Sequence, residues 1–347
     1  MIDSCASPLE QLRRVASSLL DPQRLACSLR TEVLEMTVML ADAGTLLATH
    51  QKDIAHGETR TSQGLALSPA MAAICAEDFV RTIQFIRGTH AAIVDIRKRC
   101  PDRPARVLYV GCGPYAPLVV PLMAIFSPAE ATFSLLDIHP ESIKSAKSVV
   151  AALGLAACVA NFETLDAASY RICPDRQPDI LLMEIMRACL ESEPQVALTR
   201  HLLLQAPNAI MIPEEVRIDL ALVDLSCEFD LDGPKLNRAS IQRDRISLAS
   251  VFAVNRETVD LWKSNRSNRL PAAAVQLPAS IEQRHQPMLF TKIRVYQDHI
   301  LKDYDSGLTC PKTLTIKGPI RSGDTIQFHY ELGSHPRLTG EILQRHE

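Results

Sequence analysis

Aromatic residues are scarce in this 347-residue chain, at 5% with a single tryptophan, and glycine numbers only 13. Neither charge sign prevails: 37 lysines and arginines stand against 40 aspartates and glutamates, a formal net charge of −3. So little glycine excludes a collagen-like chain, and an apolar fraction of 47% is too high for disorder. Without a basic surplus there is no electrostatic footprint for a nucleic-acid backbone. The longest apolar run, Ala116 to Phe126, is about half a membrane span and contains two prolines. The opening stretch MIDSCASPLEQLRR lacks a basic segment followed by an apolar one, so no signal peptide is expected. Ten cysteines are scattered singly with no CxxC pair, which reads as small hydrophobes in a reducing cytosol. The histidines form neither HxH nor HExxH, and no nucleophile elbow occurs, so neither a metal centre nor an esterase-type serine is expected. These absences leave a globular cytoplasmic protein, long enough for two or three domains, with no nucleic-acid or membrane partner.

What is present falls into three stretches. Residues 1–104 are patterned as helices. Leu9, Leu12, Val15 and Leu19 recur at intervals of three and four, as do Val33, Met36 and Leu40. The polar run from His50 to Gly64 reads as a loop. Ser68-Pro69 caps a third helix through Ile83 and Phe85 to about Gly88, with another following to Cys100. Residues 105–212 alternate short apolar strands (Arg106–Val110, Thr132–Leu136, Ala157–Asn161, Asp179–Met183, Ala209–Ile212) with helical segments. That order predicts a doubly wound, Rossmann-like parallel α/β sheet. From 213 to 347, runs such as Val216–Leu222, Ile246–Val254, Phe290–Tyr296 and Thr325–Tyr330 alternate apolar and polar residues, which predicts an antiparallel β domain, sandwich or barrel.

The sharpest chemical signal is the strand Val107–Val110 ending in Gly111-Cys112-Gly113, followed 24 residues after Gly113 by Asp137 at the end of the next strand. Glycine there lets the chain turn tightly and approach a ligand with no Cβ in the way. A carboxylate on the neighbouring strand tip can accept both hydroxyls of a ribose. Together they mark a nucleoside-cofactor crevice; the plainer alternative is a glycine turn beside an aspartate that caps the Pro140 helix. Pro114 and Pro117 remove N–H donors that a phosphate would use, so a cofactor without phosphates fits better.

This stretch resembles the first motif of class I S-adenosylmethionine-dependent methyltransferases. The resemblance implies that Gly111, Cys112, Gly113 and Tyr115 lie along the methionine part of S-adenosyl-L-methionine, with Asp137 on the ribose. Tyr115 stands where the family usually has glycine, and Pro121 falls inside the helix expected next. By the same resemblance Glu163 or Asp166, after the third strand, faces the adenine amine, with helix capping or plain solvation as the alternative for each.

After the fourth strand, Glu184 and Glu193 stand nine residues apart. This is similar to the double-glutamate loop of the protein arginine methyltransferases, as is the order of a Rossmann-like domain followed by a β domain. Two converging carboxylates hold a planar guanidinium through charge-assisted hydrogen bonds. The alternative is two solvated loop acids, and Arg187 between them is a candidate partner for either. The resemblance spans about residues 105–347. It implies methyl transfer, with Glu184 and Glu193 as catalytic residues, and a homodimer built through the β domain. The family's Thr-His-Trp triplet is missing, with Gly307–Cys310 in its place, and Ser-Glu-Trp-Met-Gly is reduced to Met-Glu-Ile-Met-Arg. These departures shift the expected substrate from protein to a small guanidine or amine. Two competing readings remain. The stretch from Gly111 is also similar to nicotianamine synthases, which transfer the aminocarboxypropyl arm of the same cofactor; a catalytically degenerate, cofactor-binding regulator is the other. Upstream, Asp78, Arg81 and Thr82 share a helix face that can reach a substrate carboxylate or serve surface ion pairing, and Tyr304-Asp305-Ser306 is a candidate to face the pocket from the β domain.

Overall fold

A computed structural model describes residues 6–46, 53–229, 243–316 and 318–344. Helix α1 (Pro8–Leu20) opens with a capping box: the Ser7 hydroxyl accepts from the Glu10 backbone while the Glu10 carboxylate accepts from the Ser7 amide. Helix α2 (Arg30–Ala43) follows and buries Val33, Met36 and Leu40. The stretch read as a loop ends in a two-stranded hairpin, β1 (Thr59–Arg60) and β2 (Leu65–Ala66), turned through Gly64. Ser68 caps α3 (Pro69–Cys75), as its place before a proline predicts. The expected third helix is broken at Ala76–Asp78, and α4 (Phe79–Arg99) then runs unbroken past Gly88. Gly88 is a packing glycine, not a terminator. A Cβ there would stand 2.6 Å from Cγ1 of Val295, so its absence lets α4 lie directly on the β domain.

The central sheet is built from β3 (Ala105–Val110), β4 (Ala131–Asp137), β5 (Val159–Thr164), β6 (Ile180–Met183) and β7 (Ile210–Ile212). Its order is β5-β4-β3-β6-β7 and every pairing is parallel. Because β3 lies in the middle, Val107 pairs with both Phe133 and Ile180, and its run of buried apolar residues is what a strand covered on both faces requires. Helices α5 (Val120–Ile125), α6 (Pro140–Ala152) and α7 (Gln195–Leu203) connect the strands. Pro121 falls in the first turn of α5, where a missing N–H costs nothing, because the chain spends Pro114–Val119 in an irregular turn before the helix begins.

The remainder is antiparallel. Strands β8 (Glu215–Asp224), β9 (Arg245–Asn255), β11 (His285–Tyr296), β12 (His299–Leu301) and β13 (Lys312–Thr313) form one sheet, with β11 pairing β8, β12 and β13. The second sheet is β10 (Arg269–Gln276), β14 (Thr325–Glu331) and β15 (Arg337–Gln344). Short helices α8 (Leu225–Phe229) and α9 (Arg256–Leu261) flank β9. This is the fold class expected from the sequence: a parallel α/β sheet with a helical N-terminal part and an antiparallel β part. One continuous apolar core runs through all three stretches, from Leu12 through Val107 to Tyr330. Among the described residues, no helix is long and apolar enough to cross a membrane.

Candidate active site

In a parallel sheet all strands end on one edge, and the loops leaving that edge share a crevice. Here β3 delivers Gly111, β4 delivers Asp137, β5 delivers Asp166 and β6 delivers Glu184 to a single cavity of about 490 Å³. Helix α4 adds Asp78 and Arg81, the β1–β2 hairpin adds Thr61 and Leu65, and the β domain adds Leu308 and Lys312.

The turn after β3 is left-handed at both glycines, with φ of 68° at Gly111 and 63° at Gly113. A Cβ on Gly111 would lie 2.4 Å from Cγ2 of Ile185, so glycine is required there on both counts. The amides of Gly111 and Cys112 both donate to the Leu136 carbonyl, tying the turn to the neighbouring strand. Asp137 completes it: one carboxylate oxygen accepts from the Gly113 amide (2.9 Å), the other from the His139 amide (2.9 Å). A carboxylate offers about four lone-pair sites, so two remain for hydroxyls in the cavity. His139 in turn meets the Thr59 hydroxyl of the hairpin at 3.1 Å. Cys112 lines the cavity but is buried, and burial holds its thiol protonated.

Two of the expected cofactor contacts lie elsewhere. Tyr115 turns away from the cavity: its hydroxyl donates to the Leu46 carbonyl at 2.8 Å and its ring lies against Gly44. Through that bond Tyr115 fastens the N-terminal helical part, and the next residue, Ala116, is left-handed (φ 44°). Glu163 stands on β5 outside the cavity lining and accepts from the Asn161 side chain, whereas Asp166, past the strand end, lies in the lining.

Glu184 and Glu193 do come together. Both are nearly inaccessible to solvent, and each carries a guanidinium of this chain. Arg81 Nη2 lies 2.8 Å from Glu184 Oε2, and Arg187 Nε lies 3.5 Å from Glu193 Oε1. Burial pushes Glu184 up to about 7 against the opposing pull of Arg81, with Asp78 adding to the rise. Burial and the nearby Glu184 charge push Glu193 up to about 8, opposed by Arg187 and Arg81. Arg81 is the residue whose surroundings the sequence left open: it is buried, and its Nε has no hydrogen-bond partner. Its neighbour Thr82 faces inward, donating to the Ala76 carbonyl. Asp78 accepts from the Ser306 hydroxyl (2.7 Å) and the Gly307 amide (3.0 Å), pinning the start of α4 to the β domain. None of the three candidates on that segment lines the cavity: Ser306 meets it only through Asp78, the Tyr304 hydroxyl bonds Glu228, and the Asp305 carboxylate accepts from the Lys302 amide.

The loop between the two glutamates takes a conformation that its residues do not favour. Cys189, Leu190 and Ser192 are all left-handed, with φ of 60°, 57° and 68°. Two backbone bonds are its own, Leu190 N to Arg187 O and Glu193 N to Glu191 O, and the others come largely from distant parts of the chain. The Thr291 hydroxyl accepts from the Cys189 amide, and the Tyr330 hydroxyl donates to the Leu190 carbonyl. Ser192 is held by the Leu65 amide on one side and the Pro336 carbonyl on the other. At the base, Gln195 accepts from the Ile185 amide and donates to the Met183 carbonyl. Sequence reasoning missed Lys312 and the β1–β2 hairpin. Gly64 was the one signal for the latter, since a Cβ on it would strike Ser192 O at 2.8 Å.

No protein-family model matches the chain, and no curated protein matches it in sequence. Among solved structures it is similar to a chain of the Trypanosoma brucei PRMT1 enzyme-prozyme heterotetrameric complex with AdoHcy, at 14% identity and a TM-score of 0.49, covering 78% of this chain and 96% of that one. It is also similar to Arabidopsis thaliana protein arginine methyltransferase 10 in an open conformation, at 12% identity and a TM-score of 0.45, covering 75% of this chain and 95% of that one.

Proposed function

We propose that this chain is a methyltransferase that uses S-adenosyl-L-methionine and acts on a nitrogen of a small guanidine or amine. The observation that carries the reading is the convergence in one cavity of a glycine turn with its ribose-type carboxylate and a pair of buried glutamates. Gly111 and Gly113 leave room for the cofactor, Asp137 retains lone pairs for its ribose hydroxyls, and Asp166 is placed for its adenine amine. The unpartnered Nε of the buried Arg81 fits a carboxylate such as the one on the cofactor's methionine arm. When bound, the cofactor supplies a methyl group on a sulfonium, transferred in line to a nucleophile.

The work left to the protein is positioning and charge placement. Glu184 and Glu193 hold the substrate cation so that one nitrogen points into the cavity. Their raised proton affinity suits them to take the proton released as that nitrogen is alkylated. The Arg81 contact keeps Glu184 fixed while leaving its other oxygen for substrate. Calorimetric titration with S-adenosyl-L-methionine tests the cofactor half. Binding that weakens about tenfold or more in Asp137→Asn is expected, from loss of a charged acceptor; no heat of binding at millimolar cofactor contradicts it.

A further inference from the structure

We propose that the substrate carries a carboxylate as well as its cationic nitrogen, and that Arg187 at the cavity mouth receives that carboxylate. The proposal rests on the reading of Glu184 and Glu193 given above and narrows it to guanidino or amino acids. The two guanidiniums of the site are not equivalent. The Arg81 side chain is 8% exposed and sits 2.8 Å from Glu184, and its open Nε is the one assigned above to the cofactor's carboxylate. The Arg187 side chain is 45% exposed, and its one carboxylate neighbour among the described residues is Glu193, met by Nε at 3.5 Å. That leaves the Nη1–Nη2 edge of a planar fork, shaped for bidentate carboxylate binding, at a lining position of the cavity.

Two further features favour a small zwitterion. Lys312 places a second cation in the lining from the β domain, beside the half-exposed Glu191 with which it pairs. Lys312 is matched by Glu191, whereas the Arg187 fork edge has no carboxylate on it among the described residues, so a substrate carboxylate finds its counter-charge at Arg187. The β1–β2 hairpin also closes one side. Leu65 N donates to Ser192 O at 2.7 Å and Arg60 Nη1 to Ser334 O at 2.8 Å, tying the hairpin to both the glutamate loop and the β14–β15 turn. A free amino acid enters beneath it more readily than an arginine whose main chain continues in both directions.

The test is calorimetry on the full chain saturated with S-adenosylhomocysteine, titrated with L-arginine and with agmatine, which lacks the carboxylate. Arginine is expected to bind about tenfold to a hundredfold more tightly. Arg187→Gln is expected to remove most of that preference, weakening arginine far more than agmatine, and Arg187→Lys to keep its sign. Should Arg187→Gln fail to fold, arginine methyl ester against wild type gives the same answer, and must bind at least about tenfold more weakly than arginine. Equal affinity for arginine and agmatine, or a preference that survives Arg187→Gln, overturns the carboxylate assignment and leaves the guanidinium reading intact. If neither ligand binds, both are overturned.

Discussion

Two loops meet at the cavity, and they reach left-handed backbone by opposite means. After β3 the left-handed ligand-facing positions are Gly111 and Gly113, residues for which that conformation is free of steric cost. After β6 they are Cys189, Leu190 and Ser192, each of which gives up about 1–2 kcal/mol to be there. The first turn is fixed largely by its own residues and by the adjacent strand, through Leu136 and Asp137. The second has two short backbone bonds of its own and is otherwise held from outside, by Thr291, Tyr330, Pro336 and Leu65. Cofactor binding should therefore answer to local changes, and substrate positioning to changes made far away in the chain.

The largest effect is expected for Glu184→Gln. The amide keeps the shape and leaves the glycine turn untouched, so turnover should fall by about a hundredfold or more while cofactor affinity stays within about twofold. Equal losses in both would erase the distinction between the loops. Next is Gly111→Ala, which forces a left-handed alanine and drives its Cβ into Ile185, one residue from Glu184. Cofactor affinity should drop about tenfold, with a stability loss of about 1–3 kcal/mol read by denaturant melts.

Tyr330→Phe tests remote control. It removes a buried hydroxyl 140 residues away in sequence from the carbonyl it serves, at a cost of about 1–2 kcal/mol. Turnover should fall several-fold with cofactor affinity unchanged; an effect confined to cofactor affinity would reverse the assignment. The smallest effect is on pH dependence. Glu193 titrates near 8 in the folded protein against 4.5 in a free side chain. Between those values the folded state holds a proton that the unfolded chain has released, so stability falls as pH rises across that window. Glu193→Gln should lessen the fall in Tm between pH 5 and pH 8 by roughly a few degrees, and an unchanged slope would place the titration elsewhere.

The same contrast explains what the sequence revealed. Gly111, Gly113 and Asp137 were legible because the strand, turn and acid are neighbours in a local pattern whose geometry follows from chemistry. The approach of Glu184 to Glu193 followed from a spacing within one loop. Arg81 was visible only as a helix-face charge: its partner lies 103 residues on, and the choice between surface and cavity depends on how α4 docks. Gly88 read as a helix end, since nothing local announces that Val295 fills the space of its missing Cβ. The motif places Tyr115 at the cofactor, but its hydroxyl is spent on the Leu46 carbonyl, which lies 69 residues away in sequence. Strands β10 and β15 carried too weak an alternation to be read, and the left-handed run at Cys189–Ser192 had no glycine to mark it.

Under the proposed function these two loops hold a methyl donor and a small cationic nitrogen together in one cavity. Its most direct test is to incubate the wild-type chain with arginine and methyl-labelled S-adenosyl-L-methionine and weigh the product. The expected product is arginine heavier by one labelled methyl group, formed on a guanidino nitrogen and absent with Glu184→Gln. Arginine left unmodified, or a product carrying the aminocarboxypropyl arm, would contradict it.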